Sequence, residues 1–252
     1  MAKPLHRADP RRYLRPMTHH DISLAGAVVQ ARPSGTLWWA GAGVLAVSDL
    51  HLGRAARRAR HGGALLPPYE ALATLDRLEA EIHALAPRVV ISLGDSFDDA
   101  GAEARLDTAA RARLIALATG RRWVWIAGNH DPAPSSLPGE HLAELSVPAP
   151  DGPVAFRHIA ETAGPEVSGH WHPKARLGRG PARACFMWDG AKLILPAFGA
   201  YVGGLDVGAP PLRALMPEGL ALLTGLRVIA APLSGLRDQA GRRPNARAIC
   251  AP

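Results

Sequence analysis

Val44-Leu45-Ala46-Val47-Ser48-Asp49-Leu50-His51-Leu52-Gly53 is the stretch on which the reading of this chain turns. A short apolar run that closes on Asp-x-His describes a buried strand delivering two metal-competent side chains at its carboxyl end. Open α/β sheets hold their ligands just beyond the carboxyl ends of strands, so the place suits chemistry. Side chains two residues apart on an extended chain point to the same side, and Asp49 and His51 are therefore expected to grip one ion together. Taken alone, Asp-x-His is equally a polar turn at a strand end. Recurrence changes that balance. Later apolar runs close on Gly94-Asp95, Gly128-Asn129-His130-Asp131 and Ser168-Gly169-His170-Trp171-His172-Pro173, with His158 preceding the last.

Helical patterns separate these runs. Leu72, Leu75, Leu78, Ile82 and Leu85 predict a helix from Tyr69 to about Ala86, ended by Pro87. Arg88–Leu93 reads as the second strand, 105–119 as an amphipathic helix stopped by Gly120, and Trp123–Ile126 as the third strand. Ala27–Val29 and Thr36–Trp39 are expected as earlier strands. Shorter ones follow near 154–158, 166–168, 184–188 and 192–195, with a strand or strand pair over 220–230. The organisation expected is a flexible basic arm over 1–20, a single domain over 21–233, and a disordered basic tail over 234–252.

In a chain of 252 residues, 48% hydrophobic and 20% charged content describes a globular protein and disfavours the disordered class. No apolar run approaches the roughly 20 residues that cross a bilayer, and the N-terminus has no secretory apolar core. Cys185 and Cys250 imply no disulfide framework, so a reducing cytoplasm is expected. The net charge of +7 points to an anionic partner, nucleic acid first.

The donors gathered at the strand ends are imidazoles, carboxylates and an amide, without a thiolate. That set suits Mn, Fe, Zn or Ni better than a structural zinc. Two such ions, about 3.5–4 Å apart, would clamp a phosphoryl group and turn a shared water into hydroxide. The supply of ligands fits two ions with Asp95 as the shared carboxylate. Glycines just before Asp95, Asn129 and His170 are expected to let the backbone turn sharply and to leave room for ion and substrate.

In order, Asp49-x-His51, Gly94-Asp95, Gly128-Asn129-His130-Asp131, His158 and Gly169-His170-Trp171-His172 resemble the signature of the calcineurin-like metallophosphoesterase superfamily. The resemblance implies an α/β fold, a four-layer αββα sandwich of two mixed β-sheets flanked by helices. It implies that Asp49, His51, Asp95 and His172 hold one metal, and that Asp95, Asn129, His158 and His170 hold the other, manganese foremost. His130 would face the scissile phosphate, and Asp131 would orient His130 by accepting its other ring N–H. Within the superfamily the chain resembles the bacterial ligase-associated DNA damage response endonuclease group. That likeness rests on Ser48–Gly53 followed by a basic segment and Gly62, and on Leu195-Pro196-Ala197-Phe198-Gly199-Ala200-Tyr201 leading to Gly203-Gly204-Leu205-Asp206. It implies a DNA phosphodiester substrate, a repair setting, and association with an ATP-dependent DNA ligase and a helicase. One departure bears on this: nuclease-type relatives often carry a histidine shortly after Gly-Asp, whereas this chain reads Ser96-Phe97-Asp98-Asp99. The alternatives are a small-molecule phosphodiesterase or phosphomonoesterase and a non-catalytic partner-binding scaffold. The complete ligand set argues against the scaffold.

Arg54, Arg57 and Arg58, with Arg60, are either a phosphate-steering rim beside the metals or an ordinary solvated loop or helix start. The first reading makes Arg54, Arg57 and Arg58 substrate-binding residues. Trp38, Trp39, Trp123 and Trp125 are expected in the core. The Leu195–Asp206 stretch is ranked beside the site on the resemblance alone.

Overall fold

A computed structural model describes residues 19–63, 65–67, 69–132, 136–161 and 164–236. Its first sheet runs in chain order through β1 (His20–Leu24), β2 (Ala27–Ala31), β3 (Leu37–Trp39), β4 (Val44–Val47), β5 (Val89–Leu93), β6 (Arg122–Ile126) and β7 (Glu140–Leu142). The strands from β1 to β4 pair antiparallel, and those from β4 to β7 pair parallel. β1 and β2 are joined through Ala25 and Gly26, both at positive φ, as a two-residue hairpin turn requires. α1 (Arg54–Arg60), α2 (Glu70–Leu85) and α3 (Thr108–Ala118) lie in the crossovers between the parallel strands.

β4, β5 and β6 are apolar on both faces because both faces are covered. Leu45, Val47, Val90, Trp123 and Trp125 pack against Leu75, Leu78 and Ile82 of α2 and Leu114 and Leu117 of α3. Ala46, Ile91, Leu93, Val124 and Ile126 face the other way, onto the second sheet. That sheet contains β8 (Glu144–Val147), β9 (Val154–Arg157), β10 (Glu166–Ser168), β11 (Lys174–Ala175), β12 (Arg183–Trp188), β13 (Lys192–Ile194), β14 (Leu220–Leu223) and β15 (Ile229–Pro232). Its order is β15-β14-β12-β13-β10-β9-β8, with β11 beside β12. β9, β10 and β13 are parallel and the other pairs antiparallel, so both sheets are mixed. Val154, Phe156, Val167, Phe186, Leu193 and Leu222 complete the core between the sheets. On the outer face, Cys185, Met187, Ile194, Ala221 and Leu223 pack against Leu212 of α4 (Pro210–Leu215) and against Met216, Leu233 and Leu236. The layers are therefore helix, sheet, sheet, helix, which is the fold class expected.

The departures are local. The third helix starts at Thr108 rather than Arg105, because Asp107 accepts the backbone N–H groups of Ala109 and Ala110 and fixes the cap there. β1, β7, β8, β11 and α4 have no counterpart among the expected elements. Trp39, Trp123 and Trp125 are core residues, and Trp38 is partly buried against it. The basic arm expected over 1–20 falls outside the described residues except for His19 and His20. The tail expected over 234–252 falls outside them beyond Leu236. Among the described residues no helix is long and apolar enough to cross a membrane.

Candidate metal centre

The site forms where the loops after β4, β5, β6, β9 and β10 meet at the carboxyl ends of their strands. Backbone pairing between the first two loops outlasts the strands. Asp49 N–H donates to Gly94 O at 3.2 Å, His51 N–H to Asp95 O at 2.9 Å, and Leu52 N–H to Ser96 O at 2.9 Å. From the other side, Phe198 N–H reaches Ser48 O at 2.8 Å and Gly199 N–H reaches Asp49 O at 3.1 Å. The loop after β13 thus buttresses the first ligand loop, and its ranking beside the site holds.

Five of the expected ligands have left-handed backbones: Asp49 (φ 54°), His51 (φ 46°), Asp95 (φ 47°), His170 (φ 68°) and His172 (φ 45°). Non-glycine residues adopt this region rarely and hold it where surrounding contacts over-determine it. The extended geometry expected for Asp49 and His51 is therefore wrong. β4 ends at Val47, and each residue is turned individually toward the site. Of the role expected of the preceding glycines, the sharp turn is met at Gly94 (φ 76°), but the room for ion and substrate is not. A Cβ on Gly169 would collide with Ser48 Oγ, and one on Gly128 with the backbone N and carboxylate of Asp95. The space they leave is filled by the protein's own loops rather than by ion or substrate.

The side chains converge as two groups, Asp49 with His51 and His172, and Asp95 with His158 and His170. Within each, one ligand-type atom per residue lies within 4.8 Å of the others. His172 Nε2 stands 3.0 Å from Asp49 Oδ1 and 3.4 Å from His51 Nε2. In the second group, His158 Nε2 is 3.3 Å from His170 Nδ1, 3.4 Å from Asp95 Oδ2 and 3.0 Å from Asn129 Oδ1. Asn129 thus lies beside the second group. The other Asp49 oxygen accepts the Ser48 hydroxyl and the His170 N–H, the latter at 3.0 Å. Asp49 Oδ1 is buried yet receives no aligned hydrogen bond. An unsatisfied buried carboxylate oxygen facing imidazole nitrogens is what a cation site requires, and the donor set fits a pair of divalent ions.

Electrostatics agree. Burial disfavours the Asp95 carboxylate, but hydrogen bonds from the His158 ring and the His130 N–H outweigh it and hold its pKa at about 2. Burial likewise opposes the charge on His158, yet Asp95 and Asp49 prevail and raise its pKa. His170 is lowered by burial and by His158. Asp95 is thus ionised at neutral pH at the centre of the second group.

Two expected roles are redistributed. Asp131 does not orient His130. Its Oδ2 turns inward to accept Phe97 N–H at 2.8 Å, while His130 Nδ1 lies 2.9 Å from the carbonyl oxygen of Asp98. Burial pushes the Asp131 carboxyl up to about 7. Arg54 and Arg57 do not project freely as a phosphate rim. Arg54 Nη1 lies 2.9 Å from Asp98 Oδ1, and Arg57 Nη1 lies 3.2 Å from Asp98 Oδ2. Arg60 and Arg105 hold Asp99 in turn. Arg58 is partly buried on α1.

Asp98 is the functional residue that sequence reasoning missed. It is fully buried, its Oδ1 is 3.0 Å from His51 Nδ1, and its own carbonyl receives His130. One residue therefore fixes a candidate ligand by its side chain and a candidate catalytic group by its backbone. Burial opposes its ionisation, but the His51 hydrogen bond and the charges of Arg54 and Arg57 keep its pKa below the ordinary value. Glu70 steadies the same assembly by accepting Gly53 N–H at 2.9 Å, at the open N-terminus of α1. The available signal was the acidic pair Asp98-Asp99 just after Gly94-Asp95, whose arginine partners on α1 are near in space and distant in sequence.

Asp98→Asn is expected to weaken divalent binding at the Asp49 group by about 10–100-fold, read by titration of the metal-free protein, with Arg54→Lys losing less. Equal affinity in both variants and wild type would remove Asp98 from this role. Asp131 supplies a pH test. Its folded pKa is raised from 3.8 to about 7, so the unfolded state releases that proton first, and metal-free stability falls as pH rises through that window. Asp131→Asn is expected to gain on wild type between pH 4 and about 7 in denaturant titrations, and a constant difference across that range would contradict the shift.

Comparison with known proteins agrees with this geometry. The family model described as calcineurin-like phosphoesterase matches residues 43–174. No curated protein matches the chain. Among solved structures, the Pseudomonas putida nuclease MPE is 28% identical, with a TM-score of 0.66, covering 85% of this chain and 100% of its own. A Streptococcus pneumoniae protein described as a predicted phosphoesterase is 16% identical, with a TM-score of 0.31, covering 71% of this chain and 79% of its own. An E. coli phosphoesterase is 14% identical, with a TM-score of 0.38, covering 75% and 97% respectively. With more than half its residues matched and both ligand groups in place, the chain belongs to the calcineurin-like phosphoesterase family and is a metal-dependent phosphoesterase.

Proposed function

We propose that the protein hydrolyses phosphodiester bonds in DNA. The observation that supports this most is the likeness to the P. putida nuclease across that protein's whole length, on a chain whose net charge of +7 favours a polyanion. In this reading Asp49, His51, His172 and Asp95 hold one ion, and Asp95, Asn129, His158 and His170 hold the other. Manganese is the ion assigned, since a set of imidazole, carboxylate and amide donors suits it; Fe, Zn and Ni share that preference. When bound, such a pair supplies a nucleophilic oxygen at neutral pH and offsets phosphoryl charge.

The remaining steps belong to the chain. His130 Nδ1 faces a carbonyl, which can only accept, so that nitrogen carries a proton and Nε2 is left toward the site. Nε2 stands 4.0 Å from Asp95 Oδ2, and the ring is partly exposed. As the new P–O bond forms and the bond to the leaving oxygen breaks, that oxygen takes the electron pair. Protonated His130 gives it the Nε2 proton and is recharged from solvent. The Asp98 carbonyl holds the ring in place throughout. A repair setting in the cytoplasm, with a DNA ligase and a helicase as associates, is proposed on the motif resemblance alone.

A second reading, hydrolysis of small phosphodiesters or phosphomonoesters, is favoured by Asp98, which stands near the position where nuclease-type relatives often carry a histidine and turns to His51 instead. Both readings are judged by assaying the Mn²⁺-loaded protein on single-stranded DNA, duplex DNA and bis-p-nitrophenyl phosphate. The nuclease reading expects cleavage of at least one DNA substrate, weakening steeply with salt; activity on the small esters alone decides for the second. His130→Asn is expected to cut turnover by about 10²–10⁴-fold at unchanged metal content. Asp95→Asn should remove both, and an active, metal-poor Asp95→Asn protein would refute the mechanism.

A further inference from the structure

Beside His172 lies a pocket of about 190 Å³, with Ser34, Arg77, Lys174 and Tyr201 among its lining residues. His172 itself lines it, so the pocket opens directly off the first ligand group. Its cations differ from four of the basic residues near the centre. Arg54, Arg57, Arg60 and Arg105 are all neutralised by Asp98 or Asp99. Arg77 instead donates to Phe198 O at 2.9 Å and Ser34 O at 2.7 Å, with its guanidinium 4.4 Å from the centre of the Phe198 ring. Lys174 Nζ donates to Val202 O at 3.3 Å. Among the described residues no carboxylate comes within 4.0 Å of either cation; the charge acting on Arg77 is that of Glu81, itself paired with Arg32, so the pocket keeps positive charge for an outside anion. The third feature is Tyr201, 49% exposed and held at φ 60°, a backbone region that tyrosine avoids. Strained backbone residues cluster at ligand-binding sites, and Tyr201 stands exposed beside the first ligand group.

We propose that this pocket seats the nucleotide next to the scissile phosphodiester. The flanking phosphate lies between Lys174 and Arg77, and the flanking sugar and base lie against Tyr201. Aromatic stacking is indifferent to base identity, and phosphate contacts carry no sequence information. The pocket therefore selects for a continuing strand and not for a sequence. It distinguishes a polymer from a small diester, which has no flank to place there. The inference rests on the nuclease reading above.

The test compares Tyr201→Ala and Lys174→Gln with wild type on a fluorescent single-stranded oligonucleotide and on bis-p-nitrophenyl phosphate. It adds anisotropy binding of the same oligonucleotide to the metal-free protein over a salt series. For each variant, kcat/KM on the oligonucleotide is expected to fall roughly tenfold further than on the small ester, mainly through KM. The slope of log affinity against log salt should drop by about 0.7 in Lys174→Gln, the value of one lost phosphate contact on a single strand. Equal losses on both substrates, or no loss on the oligonucleotide, overturn the assignment. Wild type that cleaves the small ester and not DNA overturns it together with the nuclease reading, leaving the phosphoesterase intact. If wild type cleaves neither with any divalent ion, the function reading fails separately. The binding series then judges the pocket as a strand-binding site: weaker oligonucleotide binding by the variants supports its contacts to the strand, and unchanged binding overturns them.

Discussion

The whole arrangement depends on the lateral pairing of the loop after β4 with the loop after β5. The hydrogen bonds from Asp49, His51 and Leu52 to the carbonyls of Gly94, Asp95 and Ser96 clamp the two ligand-bearing segments side by side. With that clamp in place, five candidate ligands can be held in left-handed conformations, which cost on the order of 1–3 kcal/mol each. Their sum is comparable with the 5–15 kcal/mol stability of an ordinary domain. Such a concentration of strain survives because the sheets beneath are packed on both faces, and because Gly128 and Gly169 permit contacts that any side chain would block.

Charge is arranged around this frame in shells. The innermost holds Asp49 and Asp95 against imidazoles, and Asp49 Oδ1 faces His172 Nε2 without an aligned hydrogen bond. Next comes Asp98, buried and tied to His51, and beyond it Arg54 and Arg57 from α1. An ionised carboxylate is costly to bury unless it is paired, so the arginines are what allow Asp98 to stay charged behind a ligand. The same carboxylate-to-histidine contact fixes which imidazole nitrogen is free for a metal. Arg54 and Arg57 of α1 thus serve the centre from behind, whereas Arg77 and Lys174 line the pocket beside His172 with no carboxylate within 4.0 Å among the described residues.

Much of this was legible in the residues. Apolar runs ending in ligand-type side chains located β4, β5, β6 and β10, because parallel strands buried on both faces leave an unmistakable composition. The order of Asp49, His51, Asp95, Asn129, His158, His170 and His172 led to the superfamily, and six of these side chains converge as two groups. Contacts set by tertiary structure were not legible. Nothing local says that Asp131 turns toward Phe97 while Asp98 O takes His130, since both choices are one residue apart in chain and opposite in space. The partners of Arg54 and Arg57 lie more than forty positions away. Short edge elements such as β7, β8 and β11 were missed because two to four residues carry too little periodicity to register.

The central claim is that these two groups of side chains form one dinuclear centre. Its most direct test is anomalous diffraction from crystals grown with Mn²⁺. The account predicts two peaks about 3.5–4 Å apart, one against Asp49, His51 and His172 and the other against Asn129, His158 and His170, with Asp95 between them. A single peak, or two peaks too far apart to share the Asp95 carboxylate, would contradict it.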